Sequence, residues 1–148
     1  MKRHPSLIAL SREHHAALSL ANRVKKAALA GDAARNEAAR GEVVARFEAE
    51  LAPHFAEEEL NLLPRLAALG ETALVARTLD EHRAMRALVR RLAAPAPIAE
   101  TGACLAEFGN LLAAHVRFEE RELFERAQAL HAQHGETMAL PALPALPV

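Results

Sequence analysis

The stretch LAPHFAEEELNLLPRL, residues 51–66, recurs as LAAHVRFEERELFERA, residues 112–127, with His54 over His115, Glu58 over Glu119 and Glu59 over Glu120. A second repeat precedes each copy. SREHHAALSLANRV, residues 11–24, aligns with LDEHRAMRALVRRL, residues 79–92, and sets His14 over His82. The chain is therefore two copies of one unit: a segment carrying His, then a segment carrying His-x-x-x-Glu. Residues four apart on a helix lie one turn apart on the same face, so each His-x-x-x-Glu can approach one ion from one side.

Around these motifs the apolar residues recur at spacings of three and four. Leu7, Leu10, His14, Ala17, Ala21, Val24 and Ala28 form one seam, and Val75, Thr78, His82, Met85, Val89 and Leu92 another. The other two segments offer Val44, Phe47, Leu51, His54 and Glu58, then Ile98, Thr101, Leu105, Phe108, Leu112, His115 and Glu119. These periods predict four amphipathic helices, each with a histidine on its inward face. Breakers separate them: Gly31-Asp32, Gly70, Pro95-Ala96-Pro97 and Gly135. Short connections favour antiparallel neighbours, so the expected fold is all-α, an up-down-up-down four-helix bundle with a metal site in its core. Pro53 and Pro64 predict a kink near His54 and a bend or end near residue 64. Residues 1–135 are assigned to the bundle. Residues 136–148, ETMALPALPALPV, read as a proline-rich flexible tail, with a strap on the bundle or on a second subunit as the alternative.

Composition narrows the function classes. At 148 residues the chain suits one domain, and 51% hydrophobic with 3% aromatic residues is a helix former's alphabet. Eighteen basic and 19 acidic residues are interspersed, which excludes the basic stripe that nucleic acid requires. Residues 1–10 lack a signal-like apolar run and no stretch is long enough to span a bilayer, so the expected location is the cytoplasm. The lone Cys104 is about three turns from His115 and reads as a small buried apolar residue.

Counting from the expected helix ends, His14, Glu58, His82 and Glu119 fall within roughly 10 Å of one another along the bundle axis. Carboxylates at core positions cost several kcal/mol each, on the order of a lost ion pair, unless a cation compensates them. Histidine with carboxylate in a bundle core suits iron or manganese, with two carboxylates bridging two ions. Six donors also exceed what tetrahedral structural zinc accepts. The expected centre is two non-haem irons held by His14, His54, Glu58, His82, His115 and Glu119, completed by a bridging oxo or hydroxo group. Manganese or zinc remain alternatives in the isolated protein. A seam through His15 would include Ser11, Asn22 and Lys25, which favours His14. Glu57, Glu59 and Glu120 read as solvated flank charges, and so do His4, His131 and His134 near helix ends.

The ordered set of His14, His54-x-x-x-Glu58, His82 and His115-x-x-x-Glu119 resembles the hemerythrin-like, or HHE cation-binding, domains over residues 7–127. That resemblance implies a left-twisted bundle around a di-iron centre that binds dioxygen, nitric oxide or peroxide, or senses iron and oxygen. It stops short of the oxygen carriers. Those have a further histidine where this chain has Arg86, and end with a differently spaced aspartate. Extra glutamates occur near the centre in some members; here Glu50 and Glu81 occupy such positions. Two function classes follow: a binding or sensing module for a small diatomic or peroxide ligand, and a di-iron oxidoreductase or an iron donor for cluster repair. The absence of tyrosine and of a nearby reactive cysteine tilts the reading toward binding. A homodimer is left open.

Overall fold

The computed structural model describes residues 3–134; the expected tail from residue 136 lies outside the described residues. The first helix, Pro5–Ala30, begins where the His4 ring accepts a hydrogen bond from the Ser6 backbone N–H at 3.1 Å. Proline suits this first turn because its missing N–H has no helical partner there. Gly31 ends the helix at φ 69°, a left-handed conformation that glycine adopts without penalty. Asp32 then opens the second helix by accepting the Arg35 N–H at 2.8 Å.

The second helix runs over residues 33–68 and closes in a Schellman turn: Glu71 N–H bonds Leu66 C=O at 2.9 Å and Gly70 N–H bonds Ala67 C=O at 3.0 Å. The third helix is Thr72–Ala93, and Pro95 and Pro97 bar its continuation. The fourth covers residues 98–134. Among the described residues there is no strand, and no helix is long and apolar enough to cross a membrane.

Helices two and four each contain wide π-turns, at Phe47–Leu51 and Glu58–Leu62 in the second and Glu119–Leu123 in the fourth. The first two precede Pro53 and Pro64, so the expected kinks are absorbed as widened turns that relieve the clash of the proline ring with the preceding turn. Proline is not the whole cause. Glu119–Leu123 widens with no proline near it, and what it shares with Glu58–Leu62 is a buried glutamate at its first position.

The first helix packs against the second and fourth, and the third against the same two, giving the four-helix bundle. At Gly109 the fourth helix approaches so closely that an added Cβ would lie 2.6 Å from Lys25 Cγ and 3.1 Å from Ala21 O. The buried apolar residues divide into two clusters. One, around Leu20, Met85 and Phe108, fills the end nearest Gly31; the other, around Leu10, Leu66 and Phe124, fills the opposite end. The histidines and glutamates form the layer between them. The buried face is wider than a single seam, taking in Leu20, Val43, Phe55 and Leu88 as well. Ile98, placed inward by its spacing, is exposed, because it occupies the first turn of its helix beyond the last layer of the bundle. Val44, Phe47, Val75 and Ala28 are only partly buried.

Candidate metal centre

Each helix delivers one histidine to the middle layer: His14, His54, His82 and His115 are all buried, and Glu58 and Glu119 are 0% exposed. His15 is exposed. The six side chains form two groups of four, His14, His54, Glu58 and Glu119, and Glu58, His82, His115 and Glu119, with donor atoms in each group within 4.8 Å of one another. The two glutamates belong to both groups. Glu58 places Oε2 3.5 Å from His54 Nε2 and Oε1 3.1 Å from His82 Nε2. Glu119 places Oε1 2.9 Å from His14 Nε2 and Oε2 3.3 Å from His115 Nε2.

The opposite nitrogen of every ring is committed outward. Nδ1 of His14 donates to Glu120 at 2.8 Å, that of His54 to Glu13 at 2.5 Å, that of His82 to Glu59 at 2.6 Å and that of His115 to Glu81 at 2.7 Å. A proton fixed on Nδ1 leaves the Nε2 lone pair pointing inward, the tautomer a metal requires. Lone pairs would then face carboxylate oxygens. Nε2 of His54, His82 and His115, both oxygens of Glu58 and one of Glu119 are buried without a hydrogen-bond partner. A cation between them resolves this, since two donors about 2.1 Å from one ion are roughly 3.0–3.4 Å apart. The residues present therefore fit a pair of metal ions. Because both glutamates belong to both groups, each group offers four protein donors, and donor count alone does not disfavour zinc as the sequence suggested.

Without a cation, protons supply the compensating charge. Burial pulls the His115 imidazole down, but the Glu119 and Glu58 charges and the Glu81 hydrogen bond outweigh it and raise it to about 10. His54 and His14 are raised for the same reason, against their burial, by Glu58 and Glu119 in one case and Glu119 and Glu120 in the other. Burial would push the Glu119 carboxyl up, yet the His115 charge and its hydrogen bonds hold it well below the usual range.

Three residues expected to be solvated flank charges are part of this construction. Glu59 and Glu120 accept from ring nitrogens, while Glu57 is buried and accepts from the Asn61 amide at 2.8 Å. Facing away from the ions did not mean facing water. His4, also assigned to a solvated end, caps the first helix. Helix periodicity does not mark Glu13, although the repeat sets it over Glu81, and both glutamates directly precede a seam histidine. Glu50 pairs with Arg46 at 2.8 Å beside the layer. Cys104 is buried, its thiol donating to Leu88 C=O at 3.6 Å, away from the histidines.

Arginines back three of the four outer carboxylates. Arg86 reaches Glu59 at 2.9 Å, Arg3 reaches Glu120 at 2.8 Å and Arg77 reaches Glu81 at 3.1 Å. Each guanidinium also lies over a phenylalanine, Phe55, Phe124 or Phe118 respectively. Phe55 stacks on His82 at 3.9 Å and Phe124 on His14 at 5.4 Å, so the rings are held from the side as well as by their Nδ1 bonds.

The profile of the hemerythrin HHE cation binding domain matches residues 7–127. No curated protein and no solved structure matches the chain.

Proposed function

Because the chain belongs to the hemerythrin HHE cation-binding family, we propose that it is a non-haem di-iron protein that binds or senses a small ligand such as dioxygen, nitric oxide or peroxide. In this reading His14 and His54 would hold one iron and His82 and His115 the other, with Glu58 and Glu119 offering carboxylate oxygens to both groups. The observation that carries it is the pair of buried donor groups sharing two carboxylates. When bound, two adjacent irons would supply a redox-active centre with positions for a small ligand.

The protein's own contribution is shape and charge. Apolar clusters above and below the layer keep water out, which strengthens the electrostatics within. The outer glutamates orient each ring by holding its Nδ1. A cavity with about 10 Å³ for the centre of a water-sized molecule adjoins His14, His54 and His115, with Ala17, Phe55 and Leu112 in its wall. That is room for about one water-sized ligand. With no tyrosine in the chain and Cys104 set apart, no side chain near the layer offers a radical or thiol step, which supports binding over turnover. We place this activity in the cytoplasm.

Metal analysis of protein purified under low oxygen tests the reading. About two irons per chain are expected; fewer than about one, or zinc in their place, overturns the di-iron assignment. Stopped-flow absorbance after addition of oxygen or nitric oxide should give a stable, reversible charge-transfer band. Repeated consumption of peroxide or nitric oxide would instead mark an enzyme.

A further inference from the structure

The four corners of the site differ in one respect. At His82, His14 and His115 the outer carboxylate is neutralised by an arginine, which also lies over a phenylalanine and covers that corner with a fixed positive charge. At His54 the outer carboxylate is Glu13, 40% exposed, and among the described residues no cationic side chain other than His54 itself pairs with it. The repeat explains the gap. Arg77 stands four residues before Glu81, and the position four residues before Glu13 is Ala9, which is exposed.

The same corner adjoins the cavity beside the ions. Its wall includes Glu13 and Glu50 from the surface and His14, His54 and Glu119 from the interior, all from the first, second and fourth helices. Glu50 is 46% exposed and shares its charge with Arg46. His54, His115 and Glu119, which line this cavity, each carry a buried atom without a hydrogen-bond partner, so unpartnered donors lie behind the two mouth carboxylates.

We propose that the Glu13 corner, flanked by Glu50, is the port through which divalent iron enters and leaves the centre. A cation approaching any other corner meets a guanidinium. Here it meets Glu13, which no guanidinium pairs with, beside Glu50 held by Arg46, then imidazole nitrogens and the shared carboxylate Glu119. Removing the charge of one mouth carboxylate should slow a steered encounter several-fold. The inference rests on the di-iron reading.

The test is the rate of Fe²⁺ uptake by metal-free protein under anaerobic conditions, and the rate of iron extraction by a chelator, each with the final stoichiometry. Glu13→Gln keeps an acceptor for His54 Nδ1 and removes the charge; it should slow uptake about three- to tenfold. Ala9→Arg, at an exposed helical position, installs the guanidinium that Arg77 gives the opposite half and should slow both rates similarly. Glu100→Gln removes an exposed carboxylate in the first turn of the fourth helix, far from the layer, and should leave both within about twofold. Wild-type rates in Ala9→Arg and Glu13→Gln overturn the port. So does equal slowing in Glu100→Gln, which would mean that the overall charge of the protein, not this corner, sets the rates. Failure of the wild-type protein to take up iron refutes the di-iron reading instead, and does so before any variant is compared.

Discussion

Glu58 presents one carboxylate oxygen to His54 at 3.5 Å and the other to His82 at 3.1 Å, so a single buried side chain serves histidines from two helices and from both halves of the chain. Loss of this charge should therefore be felt at both ion positions. Glu58→Gln is expected to lower total metal per chain well below half of wild type, whereas His82→Ala should act mainly on its own group of four. Elemental analysis of the purified variants checks this; equal residual metal in both would show that Glu58 does not bridge.

His54→Ala and Glu119→Ala should lose iron and melt earlier together, because the cavity is built around charge and metal binding is coupled to folding. Thermal denaturation with and without a chelator measures both. Full iron retention in the two variants would mean that the ligand set is wrong.

The metal-free protein should respond to pH with a definite sign. His115 is raised to about 10 from an unfolded value near 6.5, so its contribution is fully present below about 6.5 and lost as pH rises through 10. His14 and His54 shift in the same direction. Metal displaces these protons, so loading releases acid and the loaded form lacks this alkaline loss. The gap in melting temperature between loaded and metal-free protein should widen from pH 6.5 to 9. A gap that narrows over that range contradicts the proton-for-metal exchange.

Two glycines should behave oppositely. Gly109→Ala forces a methyl group against Lys25 Cγ and Ala21 O and is expected to cost about 1–3 kcal/mol through separation of the first and fourth helices. Gly41→Ala meets nothing within 4 Å inside a helix and should stabilise by roughly 0.5–1 kcal/mol. Denaturant titration of both variants decides it.

Phe55→Ala removes the ring stacked on His82 and a fully buried core residue; a loss of about 3–5 kcal/mol is expected. Calorimetry on metal-free protein separates this packing loss from any change in metal content.

The bundle and the convergence of six side chains were legible because they rest on periodicity and an internal repeat, which survive without knowledge of partners. His14 against His15 was decided by which neighbours share a face. The outer carboxylates were not legible on that basis. Glu13 bonds a ring on a different helix, and Glu59 and Glu120 lie off the seam, so helix periodicity ranks them as surface. The repeat did carry a signal, since it pairs Glu13 with Glu81 and Glu59 with Glu120. The π-turns carried less. Nothing in EELNL or EEREL marks a widened turn in advance, and proline accompanies only one of these two.

The pairing of the four outer glutamates has a further consequence. Glu13 serves His54 and Glu81 serves His115 within a half, while Glu59 serves His82 and Glu120 serves His14 across halves. Exchanging the halves leaves this list unchanged, which is the pattern of a two-fold axis passing between Glu58 and Glu119. The centre is thus that of a symmetric dimer of helical hairpins fused into one polypeptide. Any chemical difference between the two groups of four must arise where the halves have diverged, as at Ala9 and Arg77, and can be introduced or erased one substitution at a time.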